Sequence, residues 1–188
     1  CGTSVCYNDL YSFDPNGNSG AGVWTALSPT GTAPTARQVM AYAWVPGIGT
    51  GSLGRLLIWG GAGLGLSPVF SDGYMYDVGS NSWIMMTSTS GPGGAYSPGS
   101  VVVGSGAGAK WFIFGGLTAA NAPVSNVKFF DPSTNAWSTT SPGGAMPTPR
   151  GGATVVSDGG SRIYVWGGTA AGLLMDGAVL DLPANRWI

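Results

Sequence analysis

Histidine and glutamate are absent from all 188 residues. Without His there is no Ser-His-Asp triad, no His-ligated zinc and no haem held by imidazole. Without Glu, no mechanism that needs a glutamate acid or base is open. Charge of either sign is scarce, at 8% of residues against a usual quarter or so. Five Arg and two Lys face eight Asp, for a net charge of −1. A basic patch is therefore missing, and sequence-independent nucleic-acid binding has no electrostatic basis. No apolar run approaches the roughly 18 residues of a membrane-spanning helix. Cysteine appears only at Cys1 and Cys6.

Glycine is what the chain has in excess, with 34 residues. Low charge does not mean disorder here, because disordered chains combine low hydrophobicity with high net charge. This chain is 44% hydrophobic and 11% aromatic. Its Gly, Ser, Thr, Pro and Asn punctuate short apolar runs, the pattern of an all-β protein with many turns.

Three markers repeat. The first is a pair of polar anchors five residues apart, followed by a Trp: Asp9, Asp14 and Trp24; Asp72, Asp77 and Trp83; Asn126, Asp131 and Trp137; Asp176, Asp181 and Trp187. The second Asp precedes the Trp by six residues in three copies, and the first copy carries a four-residue insertion. The second marker is an apolar run ending in a glycine pair: Gly60-Gly61, Gly115-Gly116 and Gly167-Gly168. The third is Pro34-Thr-Ala-Arg37 and Pro147-Thr-Pro-Arg150, replaced in the middle copy by Ala95-Tyr96-Ser97-Pro98. All share a period near 50 residues, which signals a repeat architecture. The apolar runs predict buried strands ended by the glycine pair. Asp131-Pro-Ser-Thr-Asn135 predicts a turn in which Asp accepts backbone N–H groups, Pro132 presets φ and Asn adopts the left-handed region.

The glycine pair, the Asp-x-x-x-Asn-x-Trp turn and the Arg before the first strand resemble the kelch-repeat family over essentially the whole chain. That resemblance implies a β-propeller, usually a ring of about six or seven blades. The expected fold is all-β, a kelch-type propeller segment of about three and a half four-stranded blades. The expected pieces are residues 7–30 (two strands), 34–89 and 92–143 (one blade each) and 147–188 (three strands and the start of a fourth). An open arc exposes strand edges. The expectation is therefore a piece of a longer ring, with a ring built from two chains as the rival.

Cys1 and Cys6 are close enough for a local disulfide, contributing about 2 kcal/mol by loop entropy; the alternative is two reduced thiols. With the scarce charge, this suggests an extracellular or secreted location. Seven of the eight Asp fall on repeat anchors, and periodic placement argues for turns rather than catalysis. Asp158, off the pattern, fits a hairpin turn. Arg37 and Arg150 are expected to bind main-chain carbonyls between blades. Lys128 and Arg186 are expected to be solvated. Trp44, before Val45-Pro46-Gly47, and Tyr96 are the aromatics left for loop contacts.

No catalytic set, metal site or cofactor site is expected. The resemblance extends to copper oxidases with His, Tyr and Cys ligands and to specifier proteins with a Glu-Asp-His iron site, and this stretch lacks the His or Glu each needs. The loops Ala62 to Ser71, Leu117 to Ser125 and Thr169 to Met175 should share one face with Ser28 to Ala33, Thr89 to Ser97 and Ser141 to Thr148. They are small, apolar and nearly uncharged, suited to another protein, to self-assembly or to a neutral glycan. The first functional expectation is a non-catalytic extracellular scaffold for protein–protein contact or assembly. The alternative is a kelch-type carbohydrate-active enzyme or lectin whose site lies mostly outside this stretch.

Overall fold

Short β-branched and aromatic runs, each cut off by Gly, Asp or Asn, give strands of two to five residues in a computed structural model describing residues 1, 4–138 and 141–188. Thr139 and Thr140, inside the piece expected over 92–143, lie outside the described residues. Strands β1 (Leu10–Asp14) and β2 (Val23–Leu27) form a two-stranded antiparallel sheet. Blade 2 runs β3 (Ala41–Val45), β4 (Arg55–Trp59), β5 (Gly73–Asp77), β6 (Ser82–Met85) in that spatial order. Blade 3 repeats it with β7 (Gly99–Val103), β8 (Lys110–Phe114), β9 (Val127–Asp131) and β10 (Ala136–Trp137). In blade 4, β11 (Gly143–Gly144) precedes β12 (Thr154–Ser157), β13 (Arg162–Trp166), β14 (Gly177–Asp181) and β15 (Arg186–Trp187).

One feature differs from expectation: the linker into blade 4 adds β11, parallel to β15. The linker into blade 2 does the same through a single Thr30–Ser82 bridge. Thr30 accepts from the Trp83 N–H at 2.9 Å and donates to the Asn81 carbonyl at 3.0 Å. In blade 3 the Asn135 side chain makes the equivalent link, accepting from the Thr87 N–H and donating to the Met85 carbonyl.

Faces of neighbouring blades make the core. Ala41, Leu57, Trp59 and Met75 of blade 2 meet Trp111, Ile113, Phe130 and Trp137 of blade 3. Phe112 and Phe114 of blade 3 meet Ile163, Val165, Leu180 and Trp187 of blade 4. Strand β8 is thus buried on both faces, with Trp111 and Ile113 pointing one way and Phe112 and Phe114 the other, as period-two alternation requires. In blades 3 and 4 the repeat Trp reaches back to the residue before the glycine pair of the preceding blade. Trp137 packs edge-on to Trp59 at 4.8 Å, and Trp187 lies 5.8 Å from Phe114. Such pairs add about 1 kcal/mol beyond burial.

Glycine is required at the pairs themselves. Gly60 and Gly115 both have φ of 65°. A Cβ there would strike the carbonyls of Ala95 and Arg150 on the next blade. Gly61 and Gly116 donate their N–H groups to those same carbonyls at 2.8 and 2.9 Å. Nearby, a second interblade thread joins equivalent residues. Gly152 donates to the Ser97 carbonyl, and Ser97 donates to the Val39 carbonyl, both at 2.7 Å. All three residues have positive φ: 65° at Gly152, 50° at Ser97 and 49° at Val39.

Candidate protein-contact face

The loops that follow the glycine pairs all emerge at one end of the sheets. There they pair with the segments entering the first strands, through the bridges Gln38–Ala62, Tyr96–Leu117 and Gly151–Thr169. The β3–β4, β7–β8 and β12–β13 hairpins lie at the opposite end, as do the Asp-Asn turns. Asp77 in one such turn is 1% exposed, accepts from the Thr50 and Ser80 N–H groups, and pairs with Arg55. Burial pushes its carboxyl up, and the Arg55 and backbone hydrogen bonds outweigh this and hold it below the usual range. Asn81, Asn135 and Asn185 occupy the left-handed region at φ of 47°, 54° and 47°. Asp158 closes its hairpin by accepting from the Gly160, Ser161 and Arg162 N–H groups.

Arginine closes the base of two loops. The Arg37 guanidinium holds both Asp72 oxygens, at 2.9 and 3.2 Å. It also donates to the carbonyls of Gly60 and Thr35, each at 3.0 Å, and lies 4.3 Å from the Phe70 ring centre. Arg150, fully buried, holds Asp176 at 2.8 and 3.1 Å and donates to Gly167 and Thr148. Both clasps join residues of one blade, whereas carbonyls between blades were expected. Burial raises the Asp72 carboxyl, and its bonds to Arg37 and that residue's charge overcome this and leave it lowered. The Asp176 carboxyl is lowered chiefly by its Arg150 hydrogen bond. Desolvation, then the Asp72 charge, pushes the Tyr74 hydroxyl up.

Blade 3 has neither partner, with Ala95 in the Arg slot and Asn126 in the Asp slot. Its loop is held instead by the Tyr96 hydroxyl donating to the Asn121 side chain. Tyr96 is 5% exposed and is therefore a buried brace, not a free loop aromatic. Trp44 is not in a loop either. It lies within β3, opposite Leu56, on the face turned towards β1 and β2. The alternation Ala-Tyr-Ala-Trp-Val was the signal for a strand. These two residues do not form a common site.

The loops held by these clasps present apolar tips. Leu64 and Leu66 are exposed after blade 2's glycine pair, and Leu173 and Met175 after blade 4's, the last two at 90% and 89%. Isolated exposed apolar residues are ordinary, but here four sit on equivalent loops at one end. Among the described residues, no group of three or more His, Cys, Asp or Glu could hold a metal, and no helix is long and apolar enough to cross a membrane. The side chains of Cys1 and Cys6 meet, with Cα atoms 3.9 Å apart. The arrangement places apolar loop tips on a frame locked by the arginine clasps.

A family model described as the KLHDC2/KLHL20/DRC7 Kelch-repeats domain matches residues 1–188. The chain is similar to a Xenopus laevis protein named "Rab9 effector protein with kelch motifs", with 29% identity over 163 residues. That match covers 87% of the chain and 43% of that protein, so the chain spans less than half the relative's length.

Proposed function

The chain belongs to the kelch-repeat family, and from that premise we propose that it is a non-catalytic scaffold that receives a protein partner at the loop end of its blades. The observation that carries this is the exposure of Leu173 and Met175 on a loop whose base Arg150 locks. A preorganised frame spares the loop backbone its ordering cost on binding, and burial of exposed aliphatic side chains favours contact with another protein's apolar surface.

The test is affinity capture followed by identification, with two variants in parallel. Leu173→Asp with Met175→Asp should abolish recovery of the partner. Leu53→Asp, at the opposite end of the blades and 59% exposed, should retain it. Equal recovery with both variants would overturn the reading.

We also propose an oxidising, extracellular location. The apposition of Cys1 and Cys6 and the scarcity of charge support it. In protein taken from its native source, neither thiol should alkylate until a reductant is added.

A further inference from the structure

The turn between β1 and β2 holds the insertion of the first repeat, and it contains Asn16-Gly17, the one Asn-Gly pair in the sequence. In such a pair the glycine nitrogen can attack the asparagine side-chain carbon Cγ and close a cyclic imide. Glycine favours this, because no Cβ shields its nitrogen and its backbone turns freely.

The fold leaves this pair free to react. The Asn16 side chain is exposed and caps nothing. Among the described residues it makes no hydrogen bond, and the Gly17 N–H donates none. Only the Asn16 main-chain N–H is held, by the Asp14 carboxylate at 2.9 Å. The exposure belongs to the turn itself: Gly79, Ser133 and Pro183, at the same offset from Asp in the complete blades, are exposed too. At ψ of −8° Asn16 must rotate before Cγ meets the Gly17 nitrogen. The loop resists that rotation little. Its next two residues, Asn18 and Ser19, sit in the strained left-handed region at φ of 49° and 56°, and exposed loops open at small free-energy cost.

Elsewhere the same chemistry is restrained. The Asp-Gly pairs at Asp72 and Asp176 have their carboxylates clasped by Arg37 and Arg150 and their glycines in strands β5 and β14. Asp158 accepts three N–H groups, and the Gly159 N–H is bound to the Ser157 hydroxyl. Asn81, Asn121 and Asn135 spend their side chains on hydrogen bonds and precede residues that carry a Cβ.

We infer that Asn16 is a site of spontaneous deamidation, which the fold directs to this turn. The Gly17 nitrogen bonds to Asn16 Cγ and gives up its proton. The Cγ–NH2 bond breaks, and the amide nitrogen leaves with that proton as ammonia. Water then opens the imide at either carbonyl, leaving aspartate or isoaspartate. Water is the only reagent, and nothing is oxidised or reduced. The product adds one negative charge to a net of −1. The iso form also puts an extra backbone carbon into the turn that joins β1 to β2 at the Asp14–Val23 pair. Because the attacking nitrogen must lose its proton, the reaction quickens as pH rises.

The test incubates the folded 188-residue chain at mildly acidic and mildly alkaline pH, and a second sample in urea. Peptide mass mapping locates the modification, and an isoaspartyl methyltransferase with labelled methyl donor detects the iso form. In the folded chain, label should map to the peptide holding Asn16, rise with pH and vanish in Asn16→Gln. The rate there should lie within about tenfold of the rate in urea. Label at Asp72, Asp158 and Asp176 should appear only in urea. An unmodified Asn16 in folded protein whose urea sample reacts would overturn the proposal, and so would label at the Asp-Gly pairs of the folded chain equal to that at Asn16.

Discussion

Arg150 is the residue on which the loop frame of blade 4 depends. Its Asp176 partner is 58% exposed, so the ion pair itself contributes little after solvent screening. The bonds to the Gly167 and Thr148 carbonyls are the larger part, because a buried acceptor stripped of its donor costs about 1–3 kcal/mol. Arg150→Met is therefore expected to lower stability by roughly 2–4 kcal/mol and Asp176→Asn by less than about 1 kcal/mol, read from urea denaturation midpoints. Val39 carries the opposite expectation. A β-branched residue at φ of 49° is strained, and its side chain is 42% exposed. Val39→Gly should raise stability by about 1 kcal/mol in the same assay. The clasp was only half legible in the sequence. Arg37 and Arg150 stood at matching positions, but their Asp partners lie 35 and 26 residues away. The signal that joins them is the middle copy, which loses Arg and Asp together as Ala95 and Asn126.

Strands and turns were legible because their determinants are local: glycine pairs, Asp-Asn turns and apolar runs act within a few residues. β11 was not, because a parallel two-residue strand made of Gly143 and Gly144 leaves no side-chain pattern. Trp44 was misplaced because Pro46 and Gly47 drew the reading towards a loop, although the turn they build follows the strand. Turn chemistry also sets acid behaviour. The Asp77 carboxyl is depressed in the folded state, so its stabilisation is fully present above its unfolded value of about 3.9. It is lost as pH falls from there through the folded value. Asp77→Asn should lower stability at neutral pH and flatten the acid side of the stability profile, measured by denaturant titration from pH 7 to about pH 2.

At the scale of the molecule, one repeat position has two environments. Trp59 and Trp166 both precede a glycine pair, yet Trp59 is 2% exposed beneath Trp137, while Trp166 is 61% exposed among the described residues. Trp59→Ala is expected to cost about 3–5 kcal/mol, and Trp166→Ala less than about 1 kcal/mol, compared by thermal denaturation. The sequence could not rank them, because motif and local composition are the same and only the neighbouring blade differs. The repeat Trp shows the same contrast, with Trp24 69% exposed and Trp187 1% exposed.

The linkers held beside the outermost strands of blades 2 to 4 bear on how these molecules behave in a crowd. A sheet's last strand offers a row of free amides and carbonyls on which cross-β stacking can begin. Around this rim that lane is already occupied by Thr30 beside Ser82 and by β11 beside β15, with Asn135 bonded to the linker in blade 3. Cross-β stacking on heating should therefore start less readily on the outermost strands of blades 2 to 4 than on strands whose free edge no linker covers.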